Sequence, residues 1–191
     1  MTALAADTFI PVEDYLSGEQ LSEVRHEYIG GEVHAMAGAS KSHNDIAGSI
    51  YSALRAHLKG KPCRAYMADV KVRLEVLGDD IFYYPDVLVA CDPRDKHPLF
   101  MCFPIVIVEV LSDVLSDSTE RIDRREKFWS YTRIETLEEY VLVAQEKREV
   151  TIFRRANGWQ PEVLRDETEV LRLTSLEFTQ PLQDIYEGVK F

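Results

Sequence analysis

The sequence lacks any apolar segment that approaches the roughly 18 residues needed to span a membrane. Its first ten residues, MTALAADTFI, also lack the basic region and apolar core of a secretion signal. We therefore expect no membrane association and a cytoplasmic location. No low-complexity stretch, repeat or Pro/Gly/Ser-rich linker interrupts the 191 residues. Residues 1–191 are accordingly expected to form a single domain.

Cysteine is scarce, with only Cys63, Cys91 and Cys102 in the chain. No two of them form a CxxC pair, and an odd number fits neither a disulfide framework nor a zinc ribbon. The sequence alone therefore predicts reduced thiols.

The motifs of several common hydrolases are also missing. A zinc-protease helix beginning at His26-Glu27 would need a second histidine at position 30, which is Gly30. The chain contains neither a GxSxG nucleophile elbow nor a glycine-rich phosphate loop. An esterase and a nucleoside triphosphatase are therefore not supported.

Basic charge is in short supply, since 33 acidic and 22 basic residues give a net charge of −11. Nucleic-acid binding normally requires a basic surface. Residues 121–133 nevertheless carry five basic and two acidic side chains. Arg121, Arg124 and Arg125 in this segment fit a solvated helix face better than a DNA-binding strip.

Hydrophobic periodicity predicts an α/β chain. A hairpin is expected at Gly30-Gly31, and apolar residues at intervals of four predict a helix over residues 42–58. Strand-like segments follow at residues 63–67, 70–76, 81–91 and 105–111, of which the last two should be central strands.

The second half of the chain should continue this alternation. A helix is predicted over residues 119–132, with Asp117 as its N-cap. A hairpin of strands 140–144 and 150–153 follows, and its first strand is expected to run parallel to strand 105–111. Short helices are predicted from about residue 13 to residues 22–25 and from Pro181 to near Gly188.

Two acids stand out among these strands. Asp86 follows Pro85 at a strand entrance, and Glu109 interrupts the apolar segment PIVIVEVL, where an unpartnered charge is costly. If strands 84–91 and 104–111 form a symmetric antiparallel pair, residues whose numbers sum to 195 lie opposite one another. Asp86 and Glu109 satisfy this condition, because 86 + 109 = 195.

Opposed acids repel each other unless a cation lies between them. Oxygen ligands without nearby Cys or His favour magnesium, or manganese as a substitute. The alternative is that Asp86 caps the strand entrance while Glu109 pairs with a basic side chain of the following helix. Spacing alone does not decide between the two.

The order of several motifs resembles one known family. The motifs are HEYIGGE (26–32) followed by His43, YPDV (84–87), IVEVLS (107–112), Asp123 with Lys127, and EYVLV (139–143). Over roughly residues 10–155 the chain resembles the bacterial Uma-type restriction endonuclease family, within the PD-(D/E)xK nuclease superfamily. The resemblance implies a restriction-endonuclease-like α/β fold, with a mixed central sheet flanked by helices and with added hairpins.

The resemblance also assigns roles to individual residues. It implies that Asp86, Glu109 and the backbone carbonyl of Val110 bind Mg, and that Glu27 supports the metal, with Glu32 as a weaker candidate. Leu111 occupies the position of the usual superfamily lysine, and Lys127 matches the helix lysine that replaces it in this family. One departure is SDVLSDST (112–119), which looks like an insertion of about four residues before that helix.

Each of these residues also has a simpler interpretation. Lys127 lies four positions after Asp123, which is the spacing of an ordinary ion pair along a helix. Glu27 fits a solvated position beside a turn, and His43 fits a plain helix N-terminus better than a phosphate contact.

The function expected from these features is hydrolysis of phosphodiester bonds by a metal-dependent nuclease acting on DNA. Cleavage of both strands would require two active sites and hence a homodimer. The alternative is a catalytically inactive module that keeps the nuclease fold and binds nucleic acid or a protein partner.

Overall fold

The computed structural model describes residues 9–111 and 125–191. Its helices are α1 (Val12–Glu19), α2 (Lys41–His57), α3, of which residues 125–131 are described, and α4 (Leu182–Ile185). The strands are β1 (His26–Ile29), β2 (Glu32–Ala35), β3 (Arg64–Met67), β4 (Lys71–Val76), β5 (Asp79–Tyr83), β6 (Val87–Ala90), β7 (Phe100–Met101), β8 (Pro104–Leu111), β9 (Glu139–Ala144), β10 (Val150–Arg154), β11 (Pro161–Leu164), β12 (Val170–Leu173) and β13 (Phe178–Pro181).

The strands form three sheets. A six-stranded sheet has the order β11-β10-β9-β8-β6-β3, a five-stranded sheet has the order β2-β1-β5-β4-β7, and β12 pairs with β13 alone. In the larger sheet β8 runs parallel to β9 and antiparallel to β6. The mixed α/β class is therefore confirmed, as is the parallel pairing of the strands on either side of α3.

The register between β6 and β8 is the predicted one. Val87 lies opposite Val108, Leu88 opposite Ile107, and Val89 opposite Val106, so the numbers of each pair sum to 195. A bulge shifts the register only at Ala90, at the far end from Asp86. One further step along the ladder places Asp86, directly before β6, opposite Glu109.

Alternation along β8 separates two cores. Val106 and Val108 pack with Ile46 and Ile50 of α2 on one face of the six-stranded sheet. Ile107 packs on the other face, where α3 and the five-stranded sheet cover it. Glu109 follows Ile107 by two residues and thus belongs to the α3 face.

The predicted single strand over residues 81–91 is wrong. Tyr83 ends β5 in the five-stranded sheet, and Val87 begins β6 in the six-stranded sheet. Pro85 lies between them and has no N–H to donate to a ladder, so the chain leaves one sheet and enters the other at this point. The break matters because it places Asp86 where the two sheets meet.

The expectation of reduced thiols is also wrong for two of the three cysteines. Cys63 and Cys91 form a disulfide, whereas Cys102 is free. The pairing of Arg64 with Ala90 in the antiparallel β3–β6 ladder places the two cysteines opposite each other. Their Cα atoms are 4.1 Å apart.

Several element ends differ from expectation. Helix α1 ends at Glu19, before residues 22–25, and α4 ends at Ile185, before Gly188. The predicted start of α3, with Asp117, lies outside the described residues. No helix of residues 9–111 and 125–191 is long and apolar enough to cross a membrane. The single domain over residues 1–191 stays a prediction.

Candidate metal and phosphodiester site

Asp86 is held between two elements at the junction of the sheets. Its backbone C=O accepts a hydrogen bond from the N–H of Ala68 (3.1 Å). Its Oδ2 accepts one from the N–H of Val110 (2.6 Å), and His43 Nε2 lies 3.2 Å from the same oxygen. The Asp86 side chain therefore joins the end of β8 to the first turn of α2, with only 20% of its surface exposed.

His43 reaches Asp86 because α2 begins beside it. Ser40 is the N-cap of this helix, and its Oγ accepts the His43 N–H (3.0 Å). Burial lowers the pKa of the His43 imidazole, but the hydrogen bond and charge of Asp86 outweigh burial and raise the pKa overall. The contact with Asp86 thus favours the protonated form of the imidazole.

Glu109 lies half-buried on the α3 face of β8. Tyr131 of α3 donates its O–H to Glu109 Oε1 (3.0 Å). Loss of hydration raises the pKa of Glu109 to about 8; Lys127 opposes this change, whereas the charges of Asp86 and Glu27 add to it. The carboxyl of Glu109 is therefore close enough to all three charged groups to respond to them.

Lys127 lies beside these acids. Its Nζ is 2.8 Å from Glu27 Oε1 and 5.2 Å from the ring centroid of Tyr83. The backbone N–H of Tyr84 approaches the same Glu27 oxygen at 3.4 Å. The additional residues before α3 therefore do not prevent Lys127 from reaching the carboxylates.

Other candidates lie elsewhere. Glu32 is exposed on β2 and faces His34 (3.5 Å), so Glu27 is the acid that joins the cluster. Asp123, Arg121 and Arg124 lie outside the described residues, and Arg125 is exposed on α3.

The donor chemistry of the cluster fits a hard divalent cation. Asp86, Glu109 and Glu27 each accept hydrogen bonds or ion pairs through one carboxylate oxygen. Carboxylate oxygens are among the ligands that Mg prefers in proteins.

The cluster is not a closed metal cage. No three His, Cys, Asp or Glu side chains of the described chain are placed so that they could hold a metal ion together. Magnesium is commonly bound through one or two carboxylates and several waters, so Asp86 and Glu109 are sufficient in number.

Two contacts at this site were not predicted from the sequence. His43 contacts Asp86, although its position fits a plain helix N-terminus, and Tyr131 contacts Glu109. The spacing of Lys127 and Tyr131, four residues apart, is a signal that was available, because such residues share one helix face.

Residues 12–183 match the family model described as "Uma2: Putative restriction endonuclease". An uncharacterized protein of Synechocystis sp., slr1290, is 33% identical over 181 residues, which covers 94% of this chain and 92% of the relative. A second one, sll1609, is 30% identical over 148 residues, covering 76% and 80%.

A solved structure has a similar fold. It is described as "a putative nuclease belonging to DUF820" from Anabaena variabilis, and it superposes with a TM-score of 0.72 at 16% identity. The similarity covers 95% of this chain and 99% of that one. Since the family model covers most of the chain, the protein belongs to the Uma2 family, described as that of putative restriction endonucleases.

Proposed function

We propose that the protein is a divalent-metal-dependent nuclease that hydrolyses phosphodiester bonds of DNA. The main observation in support is that Asp86, Glu109 and Lys127 lie near one another at one end of the β6–β8 pair. Family membership supports the same reaction class. A cytoplasmic location and a homodimer for cleavage of both strands belong to this proposal.

Asp86, Glu109 and the backbone carbonyl of Val110 would hold Mg, with Mn as a substitute. Glu27 would hold a water on the ion. A bound divalent cation lowers the pKa of a coordinated water and stabilises the negative charge that develops on phosphate.

Lys127 would act on the phosphate or on the attacking water. In the protein alone its Nζ contacts Glu27, and its side chain is only 15% exposed. A phosphate at the site offers a second anionic partner within the same cluster. Lys127 would then neutralise charge in the transition state or orient the water.

A catalytically inactive module is the competing function. It is favoured by the internal pairing of Lys127 with Glu27 and of Asp86 with His43. In such a module these pairs would be permanent structural contacts. Binding of nucleic acid or a protein partner would then be the remaining activity.

The deciding experiment measures hydrolysis of plasmid and oligonucleotide DNA with Mg or Mn. We expect turnover in the wild type, loss of turnover in Asp86→Ala and in Glu109→Ala, and retention in Glu75→Gln, an exposed acid of β4. No turnover by folded wild type would support the inactive module. Equal turnover in all four proteins would identify a contaminating nuclease.

A further inference from the structure

Helix α3 carries an exposed tryptophan on the side opposite to the site. Trp129 is 64% exposed, whereas Lys127 and Tyr131 point inward to Glu27 and Glu109. Residues two apart on a helix do not share a face. The helix therefore presents Lys127 and Tyr131 to the site on one side and the Trp129 ring to solvent on the other.

Two arginines flank this tryptophan at intervals of four residues. Arg125 precedes it by one turn, and Arg133 follows it in the turn that ends the helix; both are exposed. Neither side chain has an ion pair or hydrogen bond with any residue of 9–111 or 125–191. Residues 125–133 contain three basic side chains and one acid, Glu126, in a chain of net charge −11.

The indole ring of Trp129 contacts the neighbouring ring of Phe128. The rings of Trp129 and Phe128 meet edge to face with centroids 5.8 Å apart, and Phe128 packs on Phe153 at 4.8 Å. Phe128 belongs to the core between α3 and the sheets. Trp129 therefore packs against a core residue while most of its surface stays exposed.

We infer that the outer face of α3, formed by Arg125, Trp129 and Arg133, binds single-stranded nucleic acid. An unpaired base stacks on Trp129, and the two arginines contact the phosphates beside it. Aromatic stacking combined with basic side chains is the usual mode of single-strand binding. The local positive charge in an otherwise acidic chain favours a polyanion over an apolar partner.

This inference deepens the proposed function, since it names the strand that the nuclease would receive. A helix with its side chains is about 10–12 Å across. The stacked base therefore lies several nucleotides from the bond held near Lys127. Single-stranded or frayed DNA would accordingly be a better substrate than an intact duplex.

Tryptophan fluorescence tests the surface without any need for catalysis. The chain has two tryptophans, and Trp159, which lies against Arg155, can be replaced by Trp159→Phe so that Trp129 is the single reporter. Oligothymidylate is titrated into this protein in EDTA at low salt. We expect saturable quenching, weaker with a matched duplex, and a decrease in affinity as salt rises.

Matched variants separate stacking from charge. Oligothymidylate binding by the variants is measured by fluorescence anisotropy. Trp129→Ala loses the stacked base and should weaken binding about 5- to 150-fold, whereas Trp129→Phe should retain most of the affinity. Arg125→Ala and Arg133→Ala should weaken binding and lower its salt dependence. Arg172→Ala, which removes an exposed arginine of β12, should change neither.

Three outcomes would overturn the inference. They are absence of quenching, equal binding by Trp129→Ala and wild type, and quenching that depends on protein concentration without DNA. The last result would identify a second copy of the chain as the occupant. Trp129-dependent binding without hydrolysis in Mn would contradict the nuclease while leaving this surface intact. Hydrolysis without Trp129-dependent binding would contradict the surface alone.

Discussion

Lys127 and Glu27 form a contact that joins two distant parts of the chain. The 2.8 Å distance between Nζ and Oε1 ties α3 to β1 across 100 positions of sequence. The two side chains are only 15% and 13% exposed. Because removal of one partner leaves a poorly hydrated charge, this pair should contribute to stability as well as to the site.

The first prediction concerns the energy of this pair. Glu27→Gln and Lys127→Met should each lower the free energy of unfolding by about 1–3 kcal/mol, because each removes a charge that the other group contacts at 2.8 Å. The double variant should cost less than the sum of the two single variants, with a coupling of about 0.5–3 kcal/mol. Urea denaturation of all four proteins measures this cycle.

Additive effects in that cycle would mean that the contact contributes nothing as a pair. A control pair is Arg25 with Asp69, whose side chains are 41% and 72% exposed at an Nε–Oδ1 distance of 3.0 Å. Exposed pairs contribute about 0–1 kcal/mol, so coupling there should be smaller.

The centre of the fold could be predicted from the sequence. Nearly continuous apolar segments identify two central strands, and their assumed symmetric pairing, in which 86 + 109 = 195, is the register that β6 and β8 have. The hairpin at Gly30-Gly31 and the amphipathic helix α2 are local features of the same kind.

The missed features depend on which strands become neighbours. The cysteine pair follows only from the β3–β6 ladder, and the contact of His43 with Asp86 follows from where α2 begins relative to β8. Residues 81–91 divide between two sheets at Pro85, a residue that is equally compatible with the entrance of a single strand. These are tertiary relationships that one-dimensional patterns do not contain.

The second prediction concerns binding of metal to the folded protein. A saturating divalent ion should raise the melting temperature of the wild type, because it binds the native cluster in preference to the unfolded chain. At about 100 times its dissociation constant it would stabilise by about 2.7 kcal/mol. Asp86→Asn should lose most of this shift, and Glu75→Gln should keep it. Scanning fluorimetry with Mg, Mn and EDTA provides the measurement, and identical shifts in both variants would place the ion elsewhere.

The third prediction follows from the pKa of Glu109, which is about 8 in the folded protein instead of its ordinary 4.5. The folded state then binds the Glu109 proton more tightly than the unfolded state. Proton binding therefore contributes its full stabilisation of the fold below about pH 4.5. That stability should be lost as the pH rises through about 8, by on the order of a few kcal/mol. Glu109→Gln should flatten this part of the profile.

Urea denaturation in EDTA at several pH values between these limits tests the assignment, because the chelator keeps the protein free of metal. The difference in unfolding free energy between Glu109→Gln and wild type should change steadily with pH. A constant difference would mean that Glu109 ionises normally in the fold.

The fourth prediction concerns the disulfide between Cys63 and Cys91, which are 28 residues apart. Closing a loop of this length removes unfolded-state entropy worth about 3–4 kcal/mol, so Cys63→Ser, Cys91→Ser and the double variant should all destabilise the protein by a similar amount. Cys102→Ser serves as the control, because this thiol is free. Thiol titration in denaturant should find one reactive cysteine per chain without reductant and three with it. Three without reductant, together with unchanged melting on reduction, would show that the β3–β6 ladder brings the two thiols together without joining them.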